Sequence, residues 1–244
     1  MKIVFHPEYL KVYTSDPAAA EGRLECILEE IEDDYEFVTP EPARLEDILL
    51  VHTPFYVEDV KAEGLYDIAA LAVGGAITAA KIAFEEPAFA LIRPPGHHAS
   101  PDRGWGFCYF NNIAISVRKL MHDGLIRKAV IVDFDLHFGD GTANTFCTDK
   151  NVVYHHMPQD DIASIEDILR SVDEYDIIAV SAGFDKHKMD WGNYLDTEDY
   201  KTIGQIIKEY AEDRCFGRRY AVLEGGYNTE VLGKNVKAFL KGFE

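Results

Sequence analysis

The chain has 244 residues, of which 47% are hydrophobic, and its 24 basic against 43 acidic residues give a formal net charge of −19. This length fits one large α/β domain or two small ones, and the composition allows a sizeable core and argues against disorder. The charge repels phosphate backbones, which argues against a nucleic-acid partner, and it attracts cationic substrates, although scattered acidic residues also fit an ordinary solvated surface.

The cysteines and the apolar segments indicate in which cellular compartment the protein functions. The chain has four widely separated cysteines and no C-x-x-C pair, which argues against a thiolate zinc finger and against a disulfide framework. The opening "MKIVFHPEYL" lacks the apolar stretch of a signal peptide. The longest apolar segment, 68–80, is shorter than the ~20 residues that span a bilayer. We therefore expect a cytoplasmic protein without a membrane partner.

Short β-rich runs alternate with longer helical patterns along the chain. Strands are predicted at 2–5, 35–38, 88–92, 129–135, 151–155, 176–182 and 219–225. Helices are predicted at 20–32, 44–50, 54–62, 67–84, 111–123, 164–172, 197–213 and 230–241. Apolar strands separated by helices are typical of a parallel sheet covered on both faces. The pattern predicts an α/β fold with a single domain over residues 1–244.

Chemically reactive segments follow four of these strands. They are "RPPGHH" (93–98), "DFDLHFGDG" (133–141), "FDKH" (184–187) and "GGYN" (225–228). In an open parallel sheet, ligands bind beyond the carboxyl ends of the strands. The four segments are therefore predicted to meet at one edge and to form one site.

Two of the segments suggest a metal site. In an extended strand Asp133, Asp135 and His137 share one face, and Asp185 reaches the same edge. Each aspartate alone could simply cap a helix. Because no lysine or arginine lies within 129–141, a divalent metal is the better account of the charge. Asp135, His137 and Asp185 would leave coordination positions open, as catalytic zinc sites do, but ligand types do not separate Zn²⁺ from Fe²⁺.

The remaining polar residues could transfer protons. His97 and His98 are adjacent, and Asp133 and Asp140 could each accept the Nδ1–H of one imidazole. Such pairs supply a general base and a general acid for hydrolysis. Tyr227 follows a double glycine and could hydrogen-bond an oxyanion, although alone it would suggest only an anchored turn.

With these residues assembled, the chain resembles the histone deacetylase superfamily, which includes acetylpolyamine amidohydrolases and acetoin-utilisation proteins. The motifs that carry the resemblance, in the family's order, are "RPPGHH" (93–98), "GFCYFNN" (106–112), "VDFDLHFGDGT" (132–142), "SAGFDKH" (181–187) and "LEGGYN" (223–228). It implies an arginase/deacetylase-like three-layer fold with a central, mostly parallel sheet of about eight strands. It also implies zinc-dependent deacetylation, by a metal-activated water, of acetylated lysine or an acetylated small amine.

The resemblance implies roles for the same residues. The implied metal ligands are Asp135, His137 and Asp185; the implied catalytic residues are His97, His98, Asp133, Asp140 and Tyr227. It adds Gly106 and Phe107 as the lining of the substrate tunnel. It also implies a K⁺ ion near Asp133 and neighbouring backbone carbonyls.

The chain departs from the family in two places. Phe138 replaces a usual histidine, from which we expect altered packing. Residues 157–174 replace a long loop that usually carries a second tunnel aromatic. This predicts a shallower site with Phe107 as its only assigned wall, or a site completed by a second subunit in a homo-oligomer. His155 and His156 could border the pocket, but loop histidines without a partner in view are more often structural, and we interpret them so.

Two other functions stay open at this stage. A family member with a truncated substrate rim could bind metal or acetylated ligands with little turnover, although a pure binder would not need His97, His98 and Tyr227. A two-metal ureohydrolase of the arginase type would need further aspartate-rich motifs, which the sequence does not offer.

Overall fold

The computed structural model describes residues 1–244, and a seven-stranded parallel sheet forms its centre. The strands are β1 (Lys2–Val4), β2 (Glu36–Val38), β3 (Ala88–Ala90), β4 (Ala129–Asp133), β5 (Val152–His156), β6 (Ile177–Ala182) and β7 (Arg219–Leu223). The helices are α1 (Glu25–Ile31), α2 (Leu45–Ile48), α3 (Pro54–Ala62), α4 (Tyr66–Ile82), α5 (Asn112–His122), α6 (Asp140–Phe146), α7 (Ala163–Ser171), α8 (Thr197–Arg214) and α9 (Thr229–Phe243).

The predicted α/β fold is confirmed, and the sheet has seven strands rather than about eight. The strand order is β2-β1-β3-β7-β6-β4-β5, and every pairing is parallel. The residues of β3, β4, β6 and β7 are all buried, as expected for strands covered on both faces.

Helices cover both faces of the sheet. On β7, the Tyr220 hydroxyl lies 2.7 Å from the Ser116 hydroxyl of α5, whereas Arg219 Nε donates to the Phe243 carbonyl of α9 at 2.7 Å. Neighbouring strand residues point to opposite faces, so α5 and α9 lie on opposite sides. A cluster of 54 buried residues fills the space between these layers. No helix combines the length and apolar character needed to cross a membrane.

The four reactive segments follow adjacent strands. β3, β7, β6 and β4 are consecutive in the sheet, and the four segments leave their carboxyl ends. The strand order therefore brings the four segments together at one edge of the sheet, as predicted.

Helix α6 was not predicted, because "DGTANTF" has weak helix propensity and no apolar spacing. A close tertiary contact explains its glycine. A Cβ at Gly141 would lie 2.5 Å from the backbone nitrogen of Ala99 and 2.5 Å from the carbonyl carbon of His98. The glycine therefore lets α6 approach the histidine segment, and Asp140 is the first residue of this helix.

A buried histidine holds the "GFCYFNN" segment in place. His52 is 2% exposed, and its Nε2 accepts a hydrogen bond from the Asn111 N–H at 2.9 Å. Burial lowers the pKa of His52 from 6.5 to about 4. As pH falls through 6.5, His52 becomes protonated in the unfolded chain, but in the folded chain it stays neutral until about pH 4. The contribution of His52 to the free energy of unfolding should therefore fall across this window.

His52→Gln should remove this pH dependence, because glutamine can still accept the Asn111 N–H but does not titrate. Between pH 7 and pH 4, wild type should lose on the order of 3 kcal/mol more free energy of unfolding than the variant. Urea denaturation at several pH values measures the difference. The exposed His122→Gln change serves as the control and should keep the wild-type profile. Equal pH profiles for wild type and His52→Gln would contradict the prediction.

Candidate active site

Asp135, His137 and Asp185 lie together beyond the carboxyl ends of β4 and β6. One ligand atom from each residue lies within 4.8 Å of the other two. His137 Nδ1 is 3.3 Å from Asp135 Oδ1 and 3.2 Å from Asp185 Oδ2. Both carboxylates are buried, whereas the imidazole is half-exposed. The cluster therefore opens toward solvent on its imidazole side.

The chemistry of this cluster fits a divalent metal ion. Asp185 Oδ2 is buried without a hydrogen-bond partner, which is costly unless a cation meets it. Burial and the charge of Asp135 raise the pKa of Asp185 to about 6. The hydrogen bond with Asp135 and the neighbouring carboxylate of Asp185 raise the pKa of His137 to about 10, so a proton on the imidazole offsets part of their charge. Carboxylate oxygen and imidazole nitrogen are ligands of zinc and of other divalent metals.

The predicted shared strand face is wrong for part of this segment. β4 ends at Asp133, so Asp135 and His137 lie in the following turn. Asp133 Oδ1 accepts the Asp135 N–H at 3.0 Å, and Asp135 Oδ1 accepts the His137 N–H at 2.9 Å. Aspartate side chains compete with the sheet ladder in this way. The hydrogen bond accepted by each aspartate therefore stabilises the turn that positions the next polar residue, Asp135 or His137.

His97 pairs with Asp133. The distance from His97 Nδ1 to Asp133 Oδ2 is 3.0 Å, and the same oxygen accepts the Tyr154 hydroxyl at 2.9 Å. Burial opposes protonation of His97, but the charges of Asp135 and Asp133 raise its pKa well above the ordinary value. These charges favour a proton on both nitrogens of His97, whose Nε2 lies 3.7 Å from Asp135 Oδ1.

His98 pairs with Asp140 and is held in a different protonation state. His98 Nδ1 lies 2.7 Å from Asp140 Oδ1, and Trp105 Nε1 donates to both oxygens of this carboxylate at 3.0 Å. The Trp105 ring also packs on the imidazole, with 4.0 Å between ring centroids. Burial and the charge of His97 lower the pKa of His98. The two histidines thus differ in pKa, which is typical of an acid and a base in one site.

Tyr227 lines the same pocket as the paired histidines and His137. Two charged side chains hold its loop. The Arg23 guanidinium lies 5.3 Å from the phenol ring centroid, and Arg23 Nε donates to the Gly226 carbonyl at 2.8 Å. Asp190 Oδ2 accepts the Tyr227 N–H at 2.8 Å. Burial raises the pKa of Tyr227 well above its ordinary value, so its hydroxyl remains a proton donor.

Aromatic side chains surround a small pocket of about 130 Å³. Trp105, Phe107, Trp191 and Tyr227 are among its lining residues, and Trp191 stacks on Tyr227 with 4.1 Å between ring centroids. Both tryptophans are about half exposed. Phe107, the only wall assigned from the sequence, is therefore one of several aromatic side chains that line the pocket. No residue of 157–174 lines this pocket.

Gly106 and Phe107 both line the pocket and both adopt left-handed backbone conformations, with φ of 60° and 67°. A Cβ at residue 106 would lie 2.6 Å from His98 Cδ2, so only glycine lets the chain pass this imidazole. Positive φ at a bulky residue costs on the order of 1–3 kcal/mol. The chain maintains this strain where Phe107 faces the pocket.

Glu224 supports the histidine segment from the buried side. Its Oε2 accepts the N–H groups of Gly96 at 2.7 Å and His97 at 3.2 Å. Burial raises the pKa of Glu224 to about 7. Glu224 lies within "LEGGYN" (223–228), but the sequence alone indicates no role for it. The other site residues that sequence reasoning missed are Arg23, Trp105, Tyr154 and Trp191.

The interpretation of His155 and His156 as structural agrees with their contacts. His156 Nε2 lies 2.9 Å from the Asp135 carbonyl, and His155 Nε2 lies 3.0 Å from the Ser164 hydroxyl. Neither lines the pocket. Phe138 is exposed and packs edge-on against Tyr154 and His156.

Comparison with known proteins shows the family. The sequence model of the histone deacetylase domain matches residues 17–163 and 160–243. A protein named probable deacetylase from Archaeoglobus fulgidus is 35% identical over 299 aligned positions, covering 93% of this chain and 81% of that protein. Another probable deacetylase, from Methanothermobacter thermautotrophicus, is 32% identical over 305 positions, covering 100% and 91%. Both alignments are longer than this chain, so both relatives carry internal segments that it lacks.

A solved structure shows that the fold is shared. The crystal structure of the HDA15 HD domain superposes with a TM-score of 0.87 over 99% of this chain and 88% of that chain, at 23% sequence identity. A histone deacetylase-like amidohydrolase from Pseudomonas aeruginosa is 28% identical over 78% of this chain and 66% of that protein. The chain described here belongs to the histone deacetylase family.

Proposed function

We propose that this chain is a zinc-dependent deacetylase that hydrolyses acetyl or other acyl amides of lysine-like or polyamine amines. One observation carries the proposal. The unpartnered Asp185 oxygen belongs to a metal-ligand cluster beside a pocket lined by His97 and His98, each of which pairs with its own carboxylate.

Asp135, His137 and Asp185 would hold the metal. Bound there, it would supply a Lewis acid that polarises the acyl carbonyl and acidifies water. Binding would release the proton that the two carboxylates hold on His137, because an imidazole ligates in its neutral form. The half-exposed position of His137 leaves the substrate side of the cluster open.

The two histidines divide the proton transfers. His98 donates its Nδ1–H to Asp140, which leaves Nε2 free to accept a proton from the attacking water. His97, in its protonated form, can donate a proton from Nε2 to the departing amine, while Asp133 holds its Nδ1–H. The lower pKa of His98 suits the base, and the higher pKa of His97 suits the acid.

Tyr227 and the aromatic walls orient the substrate. The phenol, kept protonated by burial, would donate a hydrogen bond to the oxyanion that forms on the acyl carbon. Trp105 and Trp191 present half-exposed indole faces at the pocket, and such faces attract cationic amines. The net charge of −19 adds long-range attraction for the same substrates. These features support acetylated polyamines, whose remaining amines are cationic, whereas the neutral side chain of acetylated lysine would meet the indoles only as apolar surface.

The proposal is tested by measuring metal content and hydrolysis on the same preparation. We expect about one zinc or iron per chain and release of acetate from acetyl-lysine peptides or acetylpolyamines. A chelator should abolish turnover, and added Zn²⁺ should restore it. Bound metal without turnover on either substrate class would instead indicate a binding protein. About two metals per chain with hydrolysis of a guanidinium substrate would indicate a ureohydrolase.

A further inference from the structure

Lys186 is a buried lysine that the proposed reaction does not use. It follows Asp185 in the chain, and its side chain has no solvent exposure. Lysine is almost never fully buried unless it is paired, because removing an ammonium group from water is costly. Its position therefore needs an electrostatic explanation.

Three carboxylates supply that explanation. Burial lowers the pKa of Lys186 to about 8, and the charges of Asp133, Asp135 and Asp185 are the strongest effects that oppose this lowering. The ammonium group donates to the Met157 carbonyl just beyond β5, so its side chain reaches from the end of β6 past the end of β4. It thus places one positive charge close to the acidic cluster.

The nearby backbone carbonyls are also engaged by donors of the chain. The Asp133 carbonyl accepts the Met157 N–H at 2.8 Å, and the Asp135 carbonyl accepts from His156 Nε2 at 2.9 Å. The Met157 carbonyl accepts from Lys186. Oxygens that could coordinate a monovalent cation beside Asp133 therefore already meet nitrogen donors.

We propose that the Lys186 ammonium is a built-in monovalent cation of the metal centre and takes the place of a bound K⁺. Three carboxylates carry three negative charges, and the Lys186 ammonium group adds a fixed positive charge to those that a divalent ion and a protonated His97 would supply. Because this cation is covalently attached, its presence does not depend on salt composition. Lys186 is a positioning residue, which acts on the ligand carboxylates and on Asp133, the partner of His97.

Two substitutions separate charge from packing. Lys186→Ala removes the charge and leaves space for an ion, whereas Lys186→Met removes the charge but fills the space. Both should lower kcat/KM by about 10- to 100-fold in choline chloride, the range for losing a group that supports metal ligands. In KCl at equal ionic strength, Lys186→Ala should recover most of this loss and Lys186→Met none. Wild type and the exposed Lys188→Met control should be indifferent to the choice of cation.

The activity measurement rests on the proposed function. Thermal unfolding tests the same inference independently of any reaction. K⁺ should raise the Tm of Lys186→Ala relative to choline and leave the Tm of wild type and Lys186→Met unchanged, because a ligand stabilises only the fold that binds it. If Lys186→Ala unfolds in choline, refolding yields in the two salts are compared. A Lys186→Ala protein that K⁺ neither stabilises nor refolds, or a wild type that K⁺ stabilises, would overturn the inference even if deacetylation is confirmed.

Discussion

Asp185→Asn is expected to abolish stoichiometric binding of the divalent metal and to lower turnover by about 10³-fold or more. The variant keeps the size of the side chain, and its carbonyl oxygen can still accept the Leu136 N–H, a bond of 2.9 Å in wild type. It replaces the unpartnered Oδ2 with an amide group that cannot serve as an anionic ligand. Lewis-acid stabilisation is worth several kcal/mol, and each 1.4 kcal/mol corresponds to about tenfold in rate.

Metal analysis after dialysis, together with acetate release, measures both parts of this prediction. The free energy of unfolding without metal should be unchanged or higher, because the substitution removes a charge that repels Asp135 in a buried site. This separates loss of the ligand from loss of the fold. The exposed Asp173→Asn variant changes the net charge equally and should keep metal and activity. An Asp185→Asn protein with one tightly bound metal per chain would remove Asp185 from the ligand set.

The sheet and the position of the site could be predicted from the sequence because parallel strands impose strong constraints. Strands buried on both faces require continuous apolar runs, as in β3, β4, β6 and β7, and all seven predicted strands are present. Reactive segments at their carboxyl ends then have to meet at one edge. The order β3-β7-β6-β4 places the four predicted segments on adjacent strands without any further assumption.

The parts that escaped prediction depend on tertiary contacts. Helix α6 forms where local propensity is poor, because Gly141 permits close contact with the histidine segment. Trp191 lies in a loop with no periodic signal, yet it stacks on Tyr227. Lys186 lies outside 129–141, so a search of that segment for a compensating cation could not find it. Sequence patterns report which face of an element is buried, but not which distant loop covers it.

Tyr227→Phe is expected to lower kcat by about 10²-fold or more with little change in KM. The lost hydrogen bond would be strongest to the oxyanion of the transition state, and removing one such donor typically costs about 3 kcal/mol. The contacts that hold the side chain involve its ring, through Trp191 and the Arg23 guanidinium, and phenylalanine retains them. The Tm and the metal content of the variant should therefore match wild type.

Tyr194→Phe is the matched control, because this tyrosine lies in the loop that carries Trp191 but does not line the pocket. It loses the same hydroxyl and should keep wild-type kcat. Steady-state kinetics on one acetyl-lysine peptide compares the three proteins. If Tyr227→Phe raised KM and left kcat within about twofold of wild type, the phenol would bind substrate and transition state equally. The phenol would then contribute to substrate binding only, and the metal centre alone would stabilise the oxyanion.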